Sequence, residues 1–131
     1  MHHKGRNKHH FEYWFDYNPV SKVVEPVEMP INYVAEMFCD RVAASKIYNE
    51  SSYNENMPIE YFMKSKHRRV IHKATSDLLE SWLLMLQEKG EEETFKHIKS
   101  VLNKLYWQIV SLSNKLKLTE KYVDLLRTMS N

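Results

Sequence analysis

From Ile31 onward, apolar residues recur at helical spacing: Ile31, Val34, Ala35, Phe38, Val42 and Ala43. Tyr33, Met37 and Ala44 fall on the other side, so the pattern predicts a helix apolar most of the way round, of the kind that is central and buried. Pro30 suits its first turn. Glu36 and Asp40 interrupt the apolar pattern one turn apart. Pro58 opens a short predicted helix through Tyr61 and Phe62 towards Lys66. Leu78, Leu79, Trp82, Leu83 and Leu86 predict another, with Thr75 or Ser76 as its cap and Lys89-Gly90 as its stop. Glu91, Glu92 and Glu93 then suit the positive end of a further helix. Its apolar residues are Phe95, Ile98, Leu102, Leu105, Ile109, Leu112 and Leu116, spaced alternately by three and four. That is an a/d heptad seam. Thr119 restarts a last short helix with Tyr122, Val123, Leu126 and Met129 on one side.

The punctuation between these stretches agrees with them. Two glycines and four prolines are too few for the many turns of a sheet protein. Residues 18–30, with three of the prolines, read as an extended connection, and residues 49–57 as a polar loop. The expected fold class is all-α: a compact helical domain with a long C-terminal helical extension. A core over residues 1–90 is expected, with residues 91–131 packing on that core or on a partner. For the 95–116 seam the favoured packing is inward, against the Leu78–Leu86 helix, joined through Gly90 as a helical hairpin. The rival is self-association with a second copy.

A chain of 131 residues has room for one ordinary domain. No apolar run approaches the roughly 18 residues of a membrane span, and no secretory signal follows the basic start, so a cytoplasmic protein is expected. The single cysteine, Cys39, excludes an internal disulfide and reads as a small core residue. Net charge is only +2, arranged in alternating acidic and basic blocks that read as mutually attracting segments or solvated faces. The basic stretch His67-Arg68-Arg69 with His72-Lys73 reads as a solvated segment, with phosphate binding as its alternative; a nucleic-acid partner is disfavoured. The aromatic string Phe11, Tyr13, Trp14, Phe15 and Tyr17 reads as core packing.

The candidate chemistry lies at the start. Four of the seven histidines are His2, His3, His9 and His10. The pairs His2/His9 and His3/His10 are each seven apart, about two helical turns, so each pair would share a helical face. Imidazoles bind manganese, iron, nickel and zinc, and a carboxylate completes such sites. Asp40 or Glu36 can supply it from the apolar helix. Glu12 reads equally as orienting a histidine from behind or as pairing with Lys8, and Glu36 is its fellow in the supporting role. The competing readings are a solvated basic tail for the histidines and a surface ion pair for Asp40.

The stretch His-His-Lys-Gly-Arg-Asn-Lys-His-His-Phe-Glu-Tyr-Trp at 2–14 resembles the signature of an uncharacterised bacterial and phage family, a domain of unknown function. Met-Pro-x-x-Tyr-Val-Ala-Glu-Met-Phe-Cys-Asp-Arg-Val-Ala-Ala-Ser-Lys at 29–46 resembles its second signature. Pro58-Ile-Glu-Tyr-Phe62 and the stretch from Leu83 to Phe95 carry the likeness further, over about residues 2–100. The full family pattern is similar to that of HD-domain metal-dependent phosphohydrolases, whose helices supply histidines and aspartates to divalent metals. The resemblance implies an HD-like partial helical bundle, a divalent metal (Mn, Fe, Ni or Zn) on His2, His3, His9, His10 and Asp40, and a phosphate-containing small molecule as substrate. It also implies a preceding segment with a His-Asp motif that this sequence does not contain, which leaves hydrolysis in doubt for this chain. The rival is a non-catalytic helical interaction protein with vestigial histidines.

Overall fold

A computed structural model describes residues 5–129, apart from the side chains at 118, 119, 122 and 126. It is mostly helical, with one small two-stranded sheet. The chain divides into two compact units, Met1–Ile98 and Lys99–Asn131.

In the first unit, a one-turn 3-10 helix at Phe11–Tyr13 leads into strand β1, Phe15–Asn18, which pairs antiparallel with β2, Val23–Pro26. Helix α1 runs over Ile31–Asn49, α2 over Met57–Ser65 and α3 over Lys73–Lys89. Helix α4, Glu91–Met129, begins in this unit and continues through the second. Among the described residues, no helix is long and apolar enough to cross a membrane.

The hairpin corrects the expectation of an extended connection at 18–30 and makes the fold mostly rather than wholly helical. Its turn is built from side-chain chemistry instead of glycine. Asn18 Oδ1 accepts from the Val20 N–H at 2.9 Å, and the Lys22 N–H returns to the Asn18 carbonyl at 2.7 Å. Lys22 adopts a left-handed backbone, φ 61°, to close it. Across the strands, Asn18 Nδ2 donates to Glu25 at 2.9 Å. Asparagine satisfies turn N–H groups locally, which is why it replaces glycine in such positions.

The core lies where α1, α2 and α3 meet the first turns of α4. Val34, Phe38, Phe62, Leu79, Trp82, Leu83 and Leu86 are almost completely buried. Phe38 stands edge-on to Trp82 at 6.3 Å and to Phe95 at 5.8 Å between centroids. Such tilted aromatic pairs add to what burial alone contributes. The polar members of the core are satisfied: Thr75 Oγ1 accepts from the Met29 N–H at 2.9 Å, and Thr94 donates to the Gly90 carbonyl at 2.7 Å.

That arrangement corrects five expectations. Thr75 is not a cap: α3 starts at Lys73, and His72 Nδ1 accepts from the Ala74 N–H at 3.1 Å. Cys39 is exposed, and α1 as a whole is not buried, since Ala43, Ala44, Ile47 and Tyr48 also face solvent. The aromatic string is not core either: Phe11, Trp14 and Phe15 are half-buried, and Tyr13 and Tyr17 are exposed. Finally, no new helix begins at Thr119, because α4 is continuous.

The stop at Gly90 is present as expected. Gly90 has φ 86°, its N–H bonds the Leu86 carbonyl at 3.0 Å, and a Cβ there would meet the Glu55 carboxylate at 3.4 Å. Glu55 in turn accepts from the Glu91 N–H at 3.2 Å, placing an acidic group at the positive end of α4. Lys46 pairs with Glu91 at the same end. Within α4, Thr94 and Ile98 are buried, whereas Tyr106, Trp107, Ile109, Leu112 and Leu116 are exposed.

Candidate metal centre

Tyr33, Glu36 and Asp40 sit at i, i+3 and i+7 of α1 and so share one face. The N-terminal segment lies along this face. Trp14 fixes it twice: its indole N–H donates to the Lys8 carbonyl at 2.7 Å, and its ring packs 5.7 Å from that of Tyr33. Lys8 places its ammonium 5.9 Å from the Tyr33 ring centroid, an attractive cation–ring geometry. The ladder continues past the hairpin, with the Val27 N–H donating to the Trp14 carbonyl at 2.9 Å. A polar segment with no apolar stripe of its own is thus held by one tryptophan.

His9 and His10 follow Lys8 and are carried onto the lower half of the same face. Their rings are 4.4 Å apart at 42°. One ligand atom each of His9, His10 and Asp40 lie within 4.8 Å of one another. Both histidines are half-buried and Asp40 is exposed. Glu36, one turn before Asp40, brings Oε2 to 3.9 Å from His9 Nδ1. Two imidazoles and one carboxylate form a donor set suited to zinc, iron, manganese or nickel, and three protein ligands leave coordination positions open. Cys39, adjacent to Asp40, adds no thiolate: residual burial and then the Glu36 carboxylate push its thiol above the ordinary value.

Of the residues singled out from sequence, His9, His10 and Asp40 are together, with Glu36 beside His9. His2 and His3 lie outside the described residues. Glu12 interacts electrostatically with Arg41 and Arg69. Arg41 is a functional candidate that sequence patterns passed over, and Arg69 belongs to the basic stretch for which phosphate binding was the alternative reading. Arg41 follows Asp40 on α1. Burial and the Arg69 guanidinium push it down to about 10, against the pull of Tyr61, Glu12 and Asp40, so it stays cationic at neutral pH. Arg69 follows the 3-10 turn Lys66–Arg68 and is half-buried rather than solvated, correcting the reading of that basic stretch. His67 is exposed and His72 is a helix cap, so neither joins the histidine group. The signal for the arginines was weak: Arg41 lies within an apolar run, and nothing in its spacing relates it to Arg69.

Compared with protein-family models, residues 1–85 match a Family of unknown function (DUF5662). No curated protein and no solved structure matches the chain.

Proposed function

The chain belongs to this family of unknown function, and from that premise we propose that His9, His10 and Asp40 hold a divalent transition metal in a site that hydrolyses a small phosphoester. The observation that carries the reading is the meeting of two imidazoles and a carboxylate from segments thirty residues apart, with ligand atoms within 4.8 Å. His9 and His10 would supply the ring nitrogens of such a site, and Asp40 its carboxylate oxygen. Glu36, with Oε2 at 3.9 Å from His9 Nδ1, is near enough to turn towards that nitrogen and orient the ring, as carboxylates commonly do behind metal-bound histidines. A metal in such a site lowers the pKa of bound water and polarises a phosphoryl oxygen. The substrate class is carried over from the resemblance of the full family pattern to HD-domain phosphohydrolases and is part of the proposal. We place the reaction in the cytoplasm.

The test is elemental analysis by mass spectrometry on untagged protein beside Asp40→Ala. Near-stoichiometric manganese, iron, nickel or zinc in the wild type, falling at least about 100-fold in affinity in the variant, is the expected result, because loss of even a supporting carboxylate costs 10–100-fold. A folded wild type that carries no metal and takes none up overturns the reading. Phosphoester turnover by the loaded protein, lost on chelation, then tests the hydrolysis.

A second reading has its own observation. Ile109, Leu112 and Leu116 continue the a/d spacing yet are each more than half exposed. A seam of that spacing is complementary to itself, and we propose that it pairs α4 with a second copy of the chain.

A further inference from the structure

Arg41 and Arg69 both lie over one ring. The Arg41 guanidinium carbon is 5.9 Å from the Phe62 centroid, and that of Arg69 is 5.6 Å from it. Phe62 is itself buried and rigid in the core. Arg69 also stands 5.7 Å from the Tyr61 ring. Two guanidiniums on one ring repel each other, and both are partly withdrawn from water. Glu12 acts on both and Asp40 on Arg41. Even so, Arg41 Nε and Arg69 Nη1 are buried with no hydrogen-bond partner among the described residues.

Buried donors of a charged group are costly to leave unmade. A structural role alone would place an acceptor on them, as the Met29 N–H has Thr75. Here donors from two elements are left unmade, on two guanidiniums over one buried ring. Guanidinium groups are the side chains best suited to recognise a tetrahedral oxyanion, because their planar fork can donate two N–H bonds at once. We propose that Arg41 and Arg69 form a phosphate-binding pair on the Phe62 ring, taking the phosphate group of a small phosphoester. The pair stands on its own donors and does not require the metal. Arg41 follows Asp40 directly in sequence, so a phosphate on the pair is recruited by the same helix that carries the carboxylate.

The experiment is calorimetric titration of inorganic phosphate into the full-length, chelator-treated protein. The wild type should show saturable binding. Arg41→Gln and Arg69→Gln should each lower affinity by about tenfold or more, the loss expected for a charge-assisted hydrogen bond. Arg68→Gln removes the same charge from an exposed neighbour and should leave the affinity within about twofold. If the glutamine variants do not fold, Arg41→Lys keeps the charge without the fork and should weaken phosphate alone, and the wild type should melt higher in phosphate than in chloride at equal ionic strength. Absence of saturable phosphate binding by the wild type overturns the proposal, as does an equal loss in Arg68→Gln. So does tight, steeply salt-dependent binding of a short oligonucleotide without binding of phosphate. Metal content is scored on portions of the same preparations taken before chelation. A protein that holds metal but no phosphate sinks the arginine pair alone, and one that holds phosphate but no metal sinks the metal reading alone.

Discussion

Two helical faces in this chain are built on the same spacing and treated in opposite ways. On α1, Tyr33, Glu36 and Asp40 form a polar stripe, and the chain lays its N-terminal segment along it. On α4, Ile109, Leu112 and Leu116 form an apolar stripe that stays exposed. Hydrophobic burial alone would predict the reverse. The difference teaches that periodicity states which residues share a face, while what covers the face is set by separate anchors elsewhere. For α1 the anchors are Trp14 and Lys8. For α4 the covering element is the second copy proposed above.

The comparison is broken most severely from the buried side of α1. Phe38 supports the helix opposite its polar stripe, against Trp82 and Phe95. Phe38→Ala should cost about 3–5 kcal/mol, read as a lowered urea midpoint, because a large cavity opens in a packed core. Metal uptake should fail with the fold. A smaller effect is expected from Glu36→Gln, which keeps the helix and removes the charge beside His9. Metal affinity should drop about 10–100-fold by competition with a chelator, with the urea midpoint unchanged. Trp14→Phe retains the ring against Tyr33 and removes the bond to Lys8. It should cost about 1 kcal/mol and weaken metal binding by several-fold, measured in the same titration. Least affected in stability should be Ile109→Lys combined with Leu112→Lys, at about 0.5 kcal/mol or less, since both sites are exposed. Sedimentation should nevertheless show loss of self-association, and metal content should not move. A protein that sediments as a monomer before the substitution removes the proposed partner of α4.

Much of the fold was legible because single residues decided it. Pro30 and Pro58 mark the starts of α1 and α2, and Gly90 has the positive φ that ends α3. The proximity of His9 and His10 to Asp40 was legible too, since a lone aspartate on an apolar helix invites polar company. Other features were hidden because their cause is tertiary. Thr75 carries the sequence character of a cap but serves Met29, forty-six residues away. The hairpin turn rests on one asparagine side chain, in a stretch whose prolines point elsewhere. Arg69 reads as solvated beside His67 and Arg68, and only the placement of Phe62 reveals its stacking. Cys39 has a core residue's composition but falls on the polar side of α1.

The three tryptophans occupy three different settings: Trp82 is buried in the core, Trp14 is half-buried against Tyr33, and Trp107 is exposed on α4. The chain therefore carries its own optical reporters, one for the core and one for each of the two faces contrasted above. Acrylamide should quench Trp107 first, Trp14 next and Trp82 last. Three single Trp→Phe variants are enough to assign each emission band. Titrating metal, phosphate or protein concentration then becomes a question of which indole changes colour.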